Sequence, residues 1–207
     1  MIRPPRPPHP HRAVRRDAAR NHQKILAAAR AVLGESGANA SMEDIAGRAG
    51  VGVGTVYRRF ASKDALIDEL LRLALADIVS AAERALELPG GQGLEELLRA
   101  LGQSFADHAR YASLLLQRQS DPVAIRQITA AIDELTTRAA AAGTVGPAVT
   151  TGDITALIWA MRGLTQAAGD MDPQAWQRFL NFHLAGLRAT PQRQEHALAP
   201  EQGAIDA

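Results

Sequence analysis

The sequence of 207 residues contains no cysteine and few aromatic side chains, which make up 4% of the chain. Without cysteine, the protein has no disulfide, no cysteine-ligated zinc or iron–sulfur site and no cysteine nucleophile. No stretch approaches the ~20 apolar residues that span a bilayer. Residues 1–10 also lack the apolar segment of a signal peptide. We therefore expect a cytoplasmic protein of one or two domains that does not interact with membranes.

The residue patterns of common enzymes and metal proteins are missing as well. The six histidines show no HExxH or other metal-ligand spacing, and the chain has no nucleophile elbow. Gly50, Gly52 and Gly54 form a GxGxG run, but it follows a predicted helix rather than a strand, which argues against nucleotide binding. We expect a protein that is not an enzyme and has no metal or cofactor. A helical enzyme remains one alternative.

Alternating strand patterns are absent, whereas apolar residues recur with helical period over most of the chain. Ser41 to Asp44 has the form of a capping box, Ser62 suits a helix N-cap, and Asp121-Pro122 and Asp172-Pro173 are helix start signals. The sequence predicts an all-α protein of about nine helices with no internal repeat.

Charge is distributed unevenly along the chain. Residues 1–63 contain 12 Lys and Arg against 4 Asp and Glu, whereas residues 64–207 contain 11 against 18. A basic block before an acidic one indicates that the first third binds a polyanion. The alternative explanation is chance clustering of charges on solvated faces.

Composition also divides the chain into segments. Residues 1–16 are rich in Pro and Arg and predict a disordered basic arm, which either stays solvated or contacts DNA. Residues 191–207 predict a disordered tail. Between them, residues 17–61 and residues 62–190 form two helical segments.

Residues 41–60 form the most informative segment. They contain two short amphipathic helices joined at Gly50, neither long enough to persist alone, since ~12–15 residues are marginal. Two such helices around a glycine turn are typical of a helix-turn-helix that presents its second helix to a DNA major groove. The alternative is an ordinary corner between helices, either within a bundle or in a structural adaptor.

The second of these helices has distinct inner and outer faces. Steps of 100° per residue place Val56 and Phe60 inward, with Val53 and Tyr57 at the margins. Small glycines allow close approach of the backbone to phosphate, whereas arginines reach phosphate or guanine. The outward residues are Gly54, Thr55 and Arg58, with Arg59 beside them.

This segment resembles the DNA-binding signature of the TetR family of regulators over roughly residues 17–70. The resemblance implies phosphate contacts and a groove-reading helix at residues 53–59. Positions 52 and 53, often Ser and Lys in the family, are Gly and Val here. The matching positions are Ile45, Ala46, Ala49, Gly50, Val51, Gly54, Thr55, Tyr57, Phe60, Lys63 and Leu66. The predicted DNA contacts are Ser41, Gly52, Val53, Gly54, Thr55, Tyr57, Arg58, Arg59 and Lys63.

The resemblance further implies a DNA-binding domain at residues 17–61 and a helical domain for effector binding and dimerisation at residues 62–190. It also implies a homodimeric repressor that a small-molecule effector releases from operator DNA. In such a dimer the last two long helices pair with those of the partner. The apolar stripe of residues 172–189 suits that interface, or else the intramolecular core. The same two possibilities apply to the stripe of Ile154, Leu157, Ile158, Met161 and Leu164.

Two groups of mixed aromatic and polar residues are candidates for the effector site. They lie at helical spacing, and such a mixture is usual both for a ligand cavity and for an interface. The candidates are Trp159, Arg162 and Gln166 in one group, and Phe105, His108 and Tyr111 in the other.

Overall fold

The computed structural model describes residues 10–167, 172 and 174–188, with side chains from residue 17 onward. These residues form nine α-helices, two 3-10 turns at Gly37–Asn39 and Ala109–Tyr111, and no strand, as the all-α prediction requires. No helix among them is long and apolar enough to cross a membrane. The helices are α1 (Pro10–Ser36), α2 (Met42–Ala49), α3 (Val53–Arg59), α4 (Lys63–Glu87), α5 (Gln92–His108), α6 (Ala112–Leu116), α7 (Pro122–Ala141), α8 (Thr151–Ala167) and α9 (Ala175–Arg188).

The first helix begins earlier than the sequence suggests. Residues 10–16, predicted from composition to belong to the extended arm, form the start of α1, so this part of the prediction is wrong. Pro10 is the last of the clustered prolines. A proline is tolerated in the first helical turn because the backbone N–H that it lacks would have no intrahelical acceptor there. Residues 1–9 and the predicted tail at residues 191–207 lie outside the described part of the chain.

An N-terminal core joins α1, α2, α3 and the first half of α4. Ile25 and Leu33 from α1 pack with Ile45 from α2 and Val56 from α3. The start of α4 contributes Leu66, Ile67 and Leu70 to the same core. The short helices therefore depend on α4 for burial, although the sequence places it in the second domain.

A second core is formed by the rest of α4 with α5, α7, α8 and α9. It buries the predicted α8 stripe of Ile154, Leu157 and Met161, against which Ile158 and Leu164 pack. The α9 residues Trp176, Leu180 and Leu184 are buried in it too. These stripes are therefore intramolecular core, and a dimer interface requires other faces of α8 and α9.

Helices α5 and α9 approach closely at Gly102. A Cβ atom added at this position would lie 2.3 Å from Cζ3 and 2.4 Å from Cε3 of Trp176. Glycine is therefore needed here for the indole ring to lie directly on the α5 backbone.

Candidate nucleic-acid interface and internal cavity

A reciprocal capping box fixes the start of α2, as the sequence predicts. The backbone N–H of Asp44 donates to Ser41 Oγ at 3.0 Å, and that of Ser41 donates to Asp44 Oδ2 at 3.2 Å. The Ser41 hydroxyl donates to the same carboxylate at 2.5 Å and lowers the pKa of Asp44. Ser41 therefore orients α2, while its predicted phosphate contact stays a prediction.

The turn between α2 and α3 depends on Gly50. This residue has φ 66° and ψ 36°, a left-handed conformation that favours glycine. The backbone N–H of Val51 then donates to the carbonyl of Ala46 at 3.1 Å, which closes the end of α2. At the other side of the turn, Gly52 is the N-cap of α3 and supplies no side-chain hydrogen bond.

The two faces of α3 are those expected from the helical projection. Val56 and Phe60 are buried in the N-terminal core. Val53 and Tyr57 are 39% and 46% exposed, and a Cβ at Gly54 would meet no atom within 4 Å. The outer face of α3 is thus open over two full turns.

The two arginines of α3 point in different directions. Arg58 stays along the helix, where its Nε donates to the carbonyl of Gly54 at 3.2 Å and its Nη2 to Thr55 Oγ1 at 3.1 Å. Arg59 instead donates from Nε to His22 Nδ1 on α1 at 3.0 Å. The structure therefore groups Arg58 with the outer residues of α3 and separates Arg59 from them.

His22 connects α1 to both α3 and α4. Its ring stacks on Phe60 with centroids 5.7 Å apart, and its Nε2 lies 3.8 Å from Glu69 Oε1. Burial and the Arg59 guanidinium lower the pKa of His22, whereas Glu69 opposes this shift. The neutral ring accepts the Arg59 hydrogen bond, because a protonated Nδ1 has no free lone pair.

Lys63 links the start of α4 to the segment before α2. Its Nζ donates to the carbonyl oxygens of Ala38 at 2.6 Å and Ala40 at 3.0 Å. Two of its three donors are therefore occupied within the protein. The third is available to the phosphate that the family resemblance assigns to Lys63.

A cavity of about 350 Å³ lies within the second part of the structure, between α4, α5, α6, α7 and α8. The predicted effector residues Phe105 and His108 line it from α5. Trp159, Arg162 and Gln166 line it from α8. Five of the six candidates, drawn from two distant segments, therefore meet at one cavity.

Tyr111 is the exception, because it does not line the cavity. Its ring lies edge-on to that of His108 with centroids 5.7 Å apart, and its predicted effector contact stays a prediction. The 3-10 turn Ala109–Tyr111 interrupts the α-helical spacing after His108, so the tyrosine packs in the N-terminal core instead. Its hydroxyl has no hydrogen-bond partner among the described residues. Burial raises the pKa of Tyr111, and the nearby Arg30 partly offsets that shift.

Similarity to known proteins agrees with this arrangement. The sequence model of the family described as "Bacterial regulatory proteins, tetR family" matches residues 25–70. A TetR transcriptional regulator from Streptomyces coelicolor is 32% identical, over 80% of this chain and 97% of its own, with a TM-score of 0.60. The chain belongs to the TetR family of transcriptional regulators.

Two further solved structures show the same likeness. A TetR regulatory protein from Mycobacterium vanbaalenii is 31% identical over 84% of this chain and 99% of its own, with a TM-score of 0.61. The TetR-family regulator PfmR from Thermus thermophilus has a TM-score of 0.64 at 21% identity, over 79% of this chain and 97% of its own, and so shows the fold alone. Among curated proteins, none matches this sequence significantly.

Some contacts of this TetR-family chain were not predicted. Arg118, after α6, lies 3.2 Å from Asp64 through Nη1 and 2.6 Å from Asp68 through Nε, which ties the cavity wall to α4. Arg48 of α2 forms a bidentate pair with Glu35 of α1 at 3.0 and 2.6 Å. The spacing of Asp64 and Asp68 places them on one helical face, but nothing in the sequence identifies their distant partner.

Proposed function

We propose that this DNA-binding regulator reads a specific operator by inserting α3 into the major groove. The observation that carries the proposal is the open outer face of α3, where Val53, Tyr57 and Arg58 are all exposed. An α-helix fits the major groove, and Arg there pairs with guanine while an apolar group contacts the thymine methyl. Because Gly52 and Val53 supply neither hydroxyl nor charge, Arg58 provides most of the polar base contact.

Phosphate contacts on either side of α3 position it in the groove. We assign them to Ser41, Thr55, Tyr57 and Lys63. Lys63 and Ser41 belong to segments that the Lys63 hydrogen bonds hold together, because Ala40 precedes Ser41 directly. Such contacts fix the register of a protein on DNA but carry no sequence information.

We further propose that the active form is a homodimer. A single short recognition helix reads few base pairs, whereas two reading heads about one helical turn apart double the contacts. The exposed faces of α8 and α9 suit this interface. Phe182 is 76% exposed on α9, and Ala156, Ala160 and Gly163 form an exposed row of small residues on α8.

We propose that an effector in the cavity releases the repressor from DNA by acting through α4. Its residues Leu71, Leu75 and Ile78 line the cavity, while Leu66 and Leu70 hold the N-terminal core. A ligand that shifts α4 therefore moves the DNA-reading helices. For release, the effector must bind the DNA-free arrangement more tightly, and DNA then weakens effector binding by the same factor.

Selection of duplexes from a random pool tests the DNA-binding proposal. The wild type should enrich paired half-sites, and Arg58→Ala should relax the base preference and cost about 1–3 kcal/mol. Arg84→Ala removes an exposed arginine of α4 and should leave the selected sequence unchanged. Failure to enrich any sequence would contradict specific DNA reading.

The dimer is tested by sedimentation of two matched variants. Phe182→Asp should reduce the dimer fraction and weaken operator binding with it. Val123→Asp introduces the same charge at an exposed apolar residue of α7, 52% exposed, and should keep the dimer. An equal dimer fraction in the two variants would show that the interface does not include Phe182.

A further inference from the structure

In the part of the chain that the structure describes, the permanently charged side chains that line the cavity are arginines. No Asp or Glu of that part lines it, whereas Arg118 and Arg162 do. Arg118 is neutralised by its ion pairs with Asp64 and Asp68. Arg162 therefore determines the charge that a ligand meets.

Arg162 has no carboxylate partner in the part of the chain that the structure describes. Its guanidinium instead lies over the ring of Trp159, with Cζ 5.2 Å from the ring centroid. Burial lowers the pKa of Arg162, but arginine stays protonated in proteins. A partly buried cation without a counterion is costly, and an anionic ligand relieves that cost.

The other polar groups of the cavity reinforce this preference. The hydroxyls of Thr155 and Thr165 already donate to backbone carbonyls of α8, at 2.8 and 2.9 Å. His108 Nδ1 lies 2.6 Å from the carbonyl of Ser104, so this nitrogen carries a proton. The guanidinium of Arg162 and the side-chain amide of Gln166 are then two donors on the α8 side of the cavity.

Most of the remaining cavity wall is apolar, although the hydroxyls of Ser104, Ser120 and Thr129 also lie in it. Leu71, Leu75 and Ile78 of α4 face Ile128 and Ile132 of α7 across it. Its volume of about 350 Å³ lies at the small end of the ~300–1,000 Å³ typical of ligand pockets. The site therefore combines one unpaired cation with a small apolar chamber.

We propose that the cavity binds an organic monoanion whose carboxylate pairs with Arg162 and whose apolar body fills the aliphatic chamber. A bidentate guanidinium–carboxylate pair supplies direction and charge compensation together. A protonated amine bound at the same place would have no carboxylate partner and would lie beside the like charge of Arg162. This inference rests on the proposed function only in naming the class of the effector, since binding is measurable without DNA.

Three ligands with one apolar chain and different head groups test the proposal: decanoate, 1-decanol and decylamine, each below its micelle concentration. Binding is followed by the fluorescence of Trp159, with Trp159→Phe to identify its signal, and by thermal shift. Decanoate should bind at least about tenfold more tightly than decanol, as a charge-assisted hydrogen bond implies, and decylamine should bind most weakly. The same order is expected for 4-phenylbutanoate, its alcohol and its amine.

Arg162→Gln identifies the residue that selects the anion. It should weaken decanoate binding by about 10–100-fold, the effect of losing a charge-assisted pair, and leave decanol binding within about twofold. Unchanged decanol affinity also shows that the variant is folded. Arg126→Gln removes an exposed arginine of α7 outside the cavity and should change neither ligand.

Several results would overturn the proposal. They are equal binding of the three head groups, an equal loss for decanoate and decanol in Arg162→Gln, and failure of both acids to bind. Each is independent of DNA. A protein that binds decanoate through Arg162 but enriches no operator refutes the regulatory proposal alone, whereas operator binding without carboxylate binding refutes only this inference.

Discussion

Replacing Gly102 by alanine tests how tightly α5 and α9 are packed. The new Cβ would lie 2.3 Å from Cζ3 of Trp176, against an ordinary contact of 3.4–4 Å, so the indole must move by about 1 Å. Overpacking of this kind lowers the free energy of unfolding by about 1–3 kcal/mol. The better helix propensity of alanine offsets about 0.5–1 kcal/mol of this loss. We expect Gly102→Ala to lower the free energy of unfolding by roughly 1–2 kcal/mol.

A second variant identifies the contact responsible. Trp176→Leu alone leaves a cavity and should cost about 2–4 kcal/mol. With the ring gone, the added methyl at residue 102 fills space instead of clashing. On this background Gly102→Ala should become neutral or stabilise by about 0.5–1 kcal/mol. The two substitutions should therefore be coupled by about 2 kcal/mol.

Urea unfolding followed by circular dichroism measures these differences, at a protein concentration that keeps the oligomeric state constant. Gly47→Ala is the control, because a Cβ there meets no atom within 4 Å. It should stabilise the protein by about 0.5–1 kcal/mol. A clash with Trp176 is refuted if Gly102→Ala stabilises the wild type, or if it lowers the free energy of unfolding equally with and without the indole.

Two other predictions concern the DNA-binding domain. Lys63→Ala should weaken binding to all DNA sequences alike and reduce the salt slope by about one phosphate contact per protomer. It should also lower the free energy of unfolding by about 1–3 kcal/mol, because the hydrogen bonds of Lys63 to Ala38 and Ala40 are lost. A changed base preference without general weakening would contradict this role. The pKa of His22 lies below 6.5 in the folded protein, so protonation favours the unfolded chain, and stability present above pH 6.5 should be lost as the pH falls through the folded pKa. Urea midpoints between about pH 7 and about pH 5 should fall less steeply for His22→Gln than for the wild type, and parallel curves would exclude His22 as the titrating group.

Local signals in the sequence predicted the helix-turn-helix well. The capping box at Ser41, the left-handed Gly50 and the inward Val56 each depend on residues within four positions of one another. Such features are read directly from spacing and side-chain chemistry. The same spacing brought Trp159, Arg162 and Gln166 to one face of α8, which the structure places at the cavity.

Contacts between distant segments were less predictable. Tyr111 lies in the N-terminal core because a 3-10 turn changes the direction of its side chain. Arg59 forms a hydrogen bond to His22 on α1 and so points away from the other outer residues of α3. The stripes of α8 and α9 fit either a core or an interface, because both bury apolar area in the same way. Only the packing of the other helices decides between these outcomes.

The salt dependence of DNA affinity tests the central claim most directly. If α3 and its flanking phosphate contacts bind operator DNA as a dimer, ~6–10 phosphates are neutralised, and affinity should fall about 10³–10⁵-fold between about 50 and about 200 mM salt. The selected operator should at the same time bind about 10³-fold or more tightly than a scrambled duplex. A nearly flat salt titration, or equal affinity for operator and scrambled duplex, would contradict the claim that this protein is a sequence-specific DNA-binding regulator.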